Sequence, residues 1–323
     1  MLDMRVKKKL PIFMLLLSIA CFAVLAPANL QAIEDWTKLR GYTPPAAITQ
    51  LAAADTMTAK AQHLFFINHP QLVSDKNQFR QDCLQAEQTI VLGCYHSVEA
   101  GIDIYNVTDP RLNGIQEVTA AHEMLHGAYD RLSQKDKNYV DGMLQDYYNN
   151  VLTDQRIKDT INSYRQTEPN SIVDEMHSIF GTEISNLPVP LENYYKQYFS
   201  NRMAVADFSI QYESVFTQNQ HQLQSLKTQI DQQKTQLDTD KQAIQNQEAT
   251  LTAENQRMQS LLRSGQADAY NSGVDAYNAQ VQSLKSAINS YNARVNQVND
   301  LVGQYNNLAY TQEGLYNSID TRL

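Results

Sequence analysis

The sequence predicts an α+β domain followed by a long α-helical coiled-coil hairpin. The 323 residues exceed the length of one ordinary domain. In residues 33–204, short β-rich runs precede helical stretches, and proline and glycine separate them. From residue 205 onward proline is absent, Gln, Asn, Ser and Lys dominate, and apolar residues recur at helical spacing. We therefore expect two folded regions with different compositions.

The first 32 residues predict an export segment. Arg5 and three lysines precede an apolar run from Ile12 to Ala26, as in a secretory signal. Three interpretations stay open: a cleaved signal peptide, a lipidated Cys21, or a retained anchor, because residues 10–28 approach the ~20 apolar residues that span a bilayer. All three place the remaining chain outside the cytoplasm, in the extracellular space or the cell envelope. Membrane contact is expected only through this segment.

Within residues 33–204 we expect a helix over residues 55–66, ended by Asn68-His69-Pro70. The β-rich runs 89–92 and 102–107 are expected to be neighbouring strands, and a helix is expected from Gln116 towards Leu132.

Cys83 and Cys94 are the two cysteines after the export segment. In an oxidising compartment their close spacing favours a disulfide, whereas two buried free thiols are the alternative.

The last region predicts two helices that pair. In the first helix an apolar residue occurs every seven residues, although the other row of the seam is largely polar. These residues are Leu223, Ile230, Leu237, Ile244, Leu251 and Met258. In the second helix, apolar residues alternate by three and four from Val274 to Tyr305. We expect an antiparallel hairpin over 205–310 with its tip near 263–273 and a tail over 311–323; a parallel oligomer of one longer helix is the competing interpretation.

The net charge of −9 argues against nucleic acid as a partner, because phosphate binding needs a surplus of Lys and Arg. No such surplus occurs in this sequence.

The candidate chemistry lies in the helix that carries His122-Glu123-Met124-Leu125-His126, an HExxH pattern. His122 and His126 are one helical turn apart, so both imidazoles can bind one Zn²⁺. Bound zinc lowers the pKa of its water to about 7, and Glu123 is placed to take the proton as the water attacks a carbonyl. The alternative is an exposed or helix-capping pair of histidines with an incidental glutamate.

This stretch resembles the zincin superfamily of zinc metallopeptidases, over about residues 100–185. The resemblance implies a zinc-dependent endopeptidase with an edge strand that aligns the substrate backbone above the HExxH helix. The metzincin branch requires Gly and His where this chain has Tyr129 and Leu132. The gluzincin branch, whose third ligand is a Glu on a later helix, is the one that the chain resembles.

A second predicted helix begins near Ser171, and Ser171 with Asp174 would form a capping pair. On its helical wheel Glu175 borders the apolar face, whereas Asp174 faces solvent. Glu175 is therefore the preferred third ligand, and His177 and Glu183 are its rivals. Tyr129 and Asp130 could support the site or stabilise an oxyanion, although an ordinary surface role is the simpler interpretation. The remaining histidines, His63, His69, His96 and His221, are expected to be structural.

Two functions follow from these patterns. The first is an exported zinc metallopeptidase that hydrolyses peptides or proteins, with His122, His126 and Glu175 as ligands and Glu123 as the catalytic base. The second is a non-catalytic envelope adaptor that binds a protein partner, or itself, through the coiled coil and carries a silent zinc domain.

Overall fold

The computed structural model describes residues 30–83, 90–97, 101–167 and 169–322. These residues are mostly helical, with a small sheet and a long C-terminal helix pair. They divide into two compact units, one formed by 30–213 with 318–322 and the other by 214–317. The predicted export segment, including Cys21, lies outside the described residues except for positions 30–32. No helix in the described part of the chain is long and apolar enough to span a membrane.

The elements have the following bounds. The helices are α1 (30–39), α2 (Ala46–Ala54), α3 (Ala59–Phe66), α4 (Lys76–Asp82), α5 (Ile115–Asp130), α6 (Gln134–Asn150), α7 (Gln155–Thr167), α8 (Ile172–Glu183), α9 (Val189–Tyr195), α10 (Arg202–Arg263) and α11 (Ala267–Ile319). The strands are β1 (Gln71–Val73), β2 (Gly93–His96) and β3 (Gly101–Tyr105).

The sheet has the strand order β1-β3-β2, so β2 is an edge strand. β2 pairs antiparallel with β3, and β1 pairs parallel with β3. The run predicted over 102–107 is confirmed as a strand as far as Tyr105. The first predicted strand was placed too early: residues 90–92 are not in the strand, and β2 begins at Gly93. The apolar run 89–92 suggested a strand, whereas the observed pairing uses the less apolar residues that follow. β1 was missed because three residues are too short to show a strand pattern.

The helices predicted over 55–66 and from Gln116 towards Leu132 match the observed helices to different extents. α5 agrees with the prediction to within two residues at each end. The helix expected over 55–66 begins only at Ala59, because Thr58 caps it by accepting a hydrogen bond from the Ala61 N–H (3.3 Å). Asp55 instead follows the last residue of α2.

α5 lies in the core and packs extensively against α8. Gly181 makes this close approach possible, because a Cβ there would lie 2.4 Å from Cδ1 of Leu125 and 2.9 Å from the ring of Tyr195. Leu125 and Phe180, one on each helix, are completely buried. The crossing brings the HExxH face of α5 against the first turn of α8.

The predicted disulfide between Cys83 and Cys94 is present, with a Cα–Cα distance of 5.7 Å. It connects the residue after α4 to the edge strand β2.

The second unit contains most of α10 and α11, which form an antiparallel helix pair. Asn219 lies opposite Gln312, and Asp240 opposite Arg294, with hydrogen bonds of 2.9 Å in both places. The turn falls at residues 264–266, inside the predicted tip. The predicted seam faces inward along α11 except at Ile288, which is 36% exposed.

The predicted end of the helical region at residue 310 is wrong, because α11 continues to Ile319. The residues assigned to a tail keep the spacing of three and four on the same face, and Leu315 and Ile319 are buried.

Candidate metal centre

The structure brings His122, His126 and Glu175 together at the crossing of α5 and α8. Their candidate ligand atoms all lie within 4.8 Å of one another. The Glu175 carboxylate lies between the two imidazoles, with one oxygen 3.6 Å from His122 Nε2 and the other 3.5 Å from His126 Nε2. Ligands of a tetrahedral ion with bonds of about 2.1 Å are roughly 3.4 Å apart, so each imidazole nitrogen lies near that spacing from one of the two carboxylate oxygens.

The hydrogen bonding of Glu175 also suits a cation. Its side chain is 8% exposed, and its Oε2 has no hydrogen-bond partner among the described residues. A buried carboxylate oxygen without a partner is costly unless an ion or water satisfies it. Two nitrogens and one carboxylate oxygen are donors that zinc accepts in catalytic sites, where a fourth position stays open. The residues present therefore fit a zinc ion.

Asp174 lies on the same side of α8 as this group, and its predicted solvent-facing position is wrong. Its Oδ1 is 3.0 Å from His126 Nδ1, an ion-pair contact without hydrogen-bond alignment, so its charge can hold that side of the ring and leave Nε2 for a ligand bond. The predicted capping pair of Ser171 and Asp174 is also wrong. Ser171 occupies the N-cap position of α8, but its side chain makes no capping hydrogen bond. The helical wheel assigned Asp174 to the solvent face, whereas the first turn of α8 packs against His126.

The rival third ligands lie elsewhere. The His177 ring is fully buried, and its Nε2 is 2.9 Å from the hydroxyl of Tyr194. Burial, together with the charges of His126 and His122, lowers the pKa of His177 to about 3, so this imidazole is neutral. Glu183 pairs with Arg156 at 2.7 Å.

Glu123 lies beside the group and below the edge strand. A Cβ on Gly93 would lie 2.7 Å from Glu123 Oε1, so only glycine allows the strand to come this close to the carboxylate. Glu123 is 5% exposed, and burial raises its pKa, although the two imidazoles act in the opposite direction. A carboxyl group with a raised pKa is suited to accept and return a proton near neutral pH.

The charges of the remaining groups are coupled. Burial opposes a charge on His126, but the carboxylates of Glu175, Asp174 and Glu123 raise its pKa to about 10. Burial likewise opposes ionisation of Glu175, yet the adjacent His126 and His122 lower its pKa. Without metal, a proton on His126 therefore balances the carboxylates, and a cation would replace it.

A cleft of about 290 Å³ opens over these groups. His122, Glu123, His126 and Glu175 line it from the helices. β2 and its flanks, residues 91–97, form the edge segment of the sheet. Its alternate residues line the cleft together with Cys94: Val91, Gly93, Tyr95 and Ser97.

The outward backbone groups of β2 face a ligand at the open edge of the sheet. The Leu92 carbonyl accepts a hydrogen bond from the Tyr105 N–H (2.8 Å), so the even-numbered residues of this segment bond to β3. The N–H and C=O groups of Gly93 and Tyr95 consequently point to the open edge, where the structure describes no further strand. An extended peptide could pair with them.

Tyr129 and Asp130 have different surroundings. The Tyr129 hydroxyl donates to Asp141 (2.9 Å), and this tyrosine does not line the cleft. Asp130 does line it, and accepts a hydrogen bond from the Tyr95 hydroxyl (3.2 Å).

Three of the other histidines have structural partners. His63 is 2.9 Å from an Asp35 carboxylate oxygen, and His69 is 2.7 Å from the Lys38 carbonyl. His96 Nε2 is 3.2 Å from Asp103 and 3.3 Å from the Cys94 sulfur. His96, Asp103, Cys94 and Cys83 also form a compact group of possible metal ligands. The disulfide between the two cysteines, however, removes the thiolates that a metal would need.

No family model, curated protein or solved structure matches this chain in the comparisons with known proteins. The arrangement of the side chains is therefore the basis for assigning a function.

Proposed function

We propose that this protein is an exported zinc-dependent metallopeptidase of the zincin type, close to the gluzincin branch. The observation that carries the proposal is the meeting of His122, His126 and Glu175 at one point, with Glu123 and an open strand edge beside them. The three residues would hold the ion. Bound zinc would acidify a water molecule and polarise the peptide carbonyl.

Glu123 supplies the proton transfer. Its buried carboxylate accepts a proton from the attacking water as the oxygen forms a bond to the carbonyl carbon. It then returns the proton to the leaving nitrogen as the peptide bond breaks. The closeness of Gly93 to Glu123 supports this role, because a peptide that paired with the edge of β2 would pass beside the base.

Asp174 and Asp130 position two side chains that line the cleft. Asp174 orients the His126 ring through Nδ1 and makes its other nitrogen a better donor. Asp130 holds the hydroxyl of Tyr95, a residue of the edge strand that lines the cleft.

The test is cleavage of a mixture of unstructured peptides by the zinc-loaded full-length chain, followed by mass spectrometry. We expect cleavage that a chelator abolishes and zinc restores. Glu123→Gln should retain about one zinc per chain and lose cleavage by about 10²- to 10⁴-fold, because it cannot accept the proton. Equal cleavage by the variant would refute the proposal.

The adaptor is the second candidate, and the separate helical unit favours it. That unit contributes no residue to the cleft and exposes Tyr310 on its surface (72%). The adaptor function is favoured if the unaltered full-length chain and its Glu123→Gln variant capture a protein partner equally well and neither form cleaves any peptide.

A further inference from the structure

The last described residues lie beside the cleft in the first unit. The Thr321 hydroxyl donates to the carbonyl of Val91 (2.8 Å), a residue that lines the cleft. Thr321 is 3% exposed and Ile319 is 7% exposed, so this segment is packed in place.

Basic residues of α4 hold the same segment through its backbone. Lys76 Nζ donates to the Asp320 carbonyl (2.8 Å), and Arg80 donates to the Arg322 carbonyl (3.3 Å). Residues 320–322 are therefore fixed by three hydrogen bonds from two directions.

The contact occurs on the open edge of the strand segment. Since the Leu92 carbonyl bonds to β3, the Val91 carbonyl points the opposite way, towards the space that a paired peptide would use. Thr321 already occupies that position. Val91 is two residues from Gly93, at most roughly 7 Å away in an extended chain, and Gly93 lies against Glu123. Little more than one or two substrate residues fit between the reacting bond and Thr321.

The direction of the substrate follows from the sheet. A peptide antiparallel to β2 would make the same pattern of perpendicular hydrogen bonds that β3 makes on the other side of β2. Antiparallel pairing is slightly more stable per residue than parallel pairing. Its carboxyl end then runs from Tyr95 towards Val91.

We propose that residues 320–322 form an end wall of the cleft, so that the enzyme removes about one or two residues from the carboxyl end of peptides. This inference rests on the proposed function. It replaces the endopeptidase that the family resemblance implies with a peptidase that requires a nearby carboxyl terminus.

The first experiment compares two peptides with the same amino-terminal sequence, one of which continues ten residues further at its carboxyl end. The zinc-loaded full-length chain should release only single residues or dipeptides from both. A chain ending at Ile319 should cut internal bonds at least 10-fold faster and release longer fragments. Thr321→Gly, which removes the hydroxyl and the bulk, should shift the products in the same direction. Thr321→Val, which keeps the bulk, should retain the short products.

Carboxyl-terminal fragments of three or more residues from the unaltered chain would overturn the end wall while leaving the peptidase function intact. Unchanged product lengths in both the shortened chain and Thr321→Gly would overturn it as well.

A binding measurement separates the end wall from catalysis. Dye-labelled peptides are titrated into the metal-free Glu123→Gln protein and followed by fluorescence anisotropy. Extension at the carboxyl end should weaken binding at least 10-fold, extension at the amino end should not, and the chain ending at Ile319 should bind both forms equally. Binding that does not depend on carboxyl-end length would overturn the proposal even if no peptide is cleaved.

Discussion

The two units of this protein use polar residues in opposite ways. The first unit buries Glu123, His126, Glu175 and His177 at a helix crossing, where the charges strongly perturb one another. The second unit has a seam with few fully buried apolar residues, Ile230, Met258 and Val298 among them, and polar residues share that seam. Its Asp240 is paired with Arg294 at a half-buried position. Desolvated polar groups thus perturb one another's charges at the candidate metal centre of one unit, whereas the polar groups of the other unit share a partly exposed helix seam.

The strongest test of this contrast is the loss of a ligand. Glu175→Ala should weaken zinc binding about 1,000-fold or more, because a binding free energy on the order of 10–16 kcal/mol is shared among a few ligands. His177→Ala is the matched control on the same helix. It should retain zinc affinity within a few fold while losing stability, because it opens a cavity and removes one of the two hydrogen-bond partners of the Tyr194 hydroxyl. Competition with a chelator of known affinity measures both; an unchanged affinity in Glu175→Ala would exclude it as a ligand.

The metal-free protein should lose stability as the pH rises. His126 has an unfolded pKa of 6.5 and a folded pKa of about 10, so between these values the folded state binds more protons. Its contribution is complete below pH 6.5 and is lost as the pH rises through 10, on the order of 5 kcal/mol in all, of which about 3 kcal/mol is lost between pH 6.5 and 9.5. Urea unfolding of the chelated protein at pH 6.5 and 9.5 measures the decrease. His126→Gln should show a much smaller decrease; the same pH dependence in that variant would assign the effect to other groups.

Loss of the residue that orients a ligand should have a smaller effect than loss of the ligand. Asp174→Asn keeps the shape of the side chain and should weaken zinc binding by about 10- to 100-fold. Its neighbour Asp130 provides the comparison, since Asp130→Asn changes a cleft carboxylate that contacts Tyr95 and neither imidazole. Equal zinc affinities in the two variants would show that the Asp174–His126 contact is unimportant for the ion.

The smallest effect is expected in the helical unit. Val298→Ala removes a seam side chain that is 7% exposed and should destabilise this unit by about 1 kcal/mol. Ile288→Ala, at an exposed seam position of the same helix, should cost less despite the larger deletion. Thermal unfolding followed by circular dichroism compares them. Peptide cleavage at 25 °C should be unchanged in both variants, because no residue of 214–317 lines the cleft.

Much of the helical architecture could be predicted because periodicity records which face of a helix is buried. The seam of α11 and the position of the turn follow directly from apolar spacing, and α5 follows from a long uninterrupted pattern. The limits of β2 could not be predicted, because the strand pairs through Gly93 and Cys94 while the more apolar residues before it remain outside. Pairing partners that are distant in sequence decide such boundaries.

The candidate metal centre was likewise predictable from the sequence only in part. The spacing of His122 and His126 places them on one face, and the helical wheel singled out Glu175, which the structure brings to them. The wheel assigned Asp174 to solvent because it describes one isolated helix and cannot include the neighbour against which the first turn packs. The importance of Gly93 was equally inaccessible, since its role depends on the approach of Glu123 across 30 positions of sequence.

The disulfide at Cys94 lies in the strand that borders the cleft. A newly synthesised chain in a reducing cytosol would carry its imidazoles and carboxylates without this covalent brace. If the chain is exported, as we propose, oxidation would complete this brace only after transport.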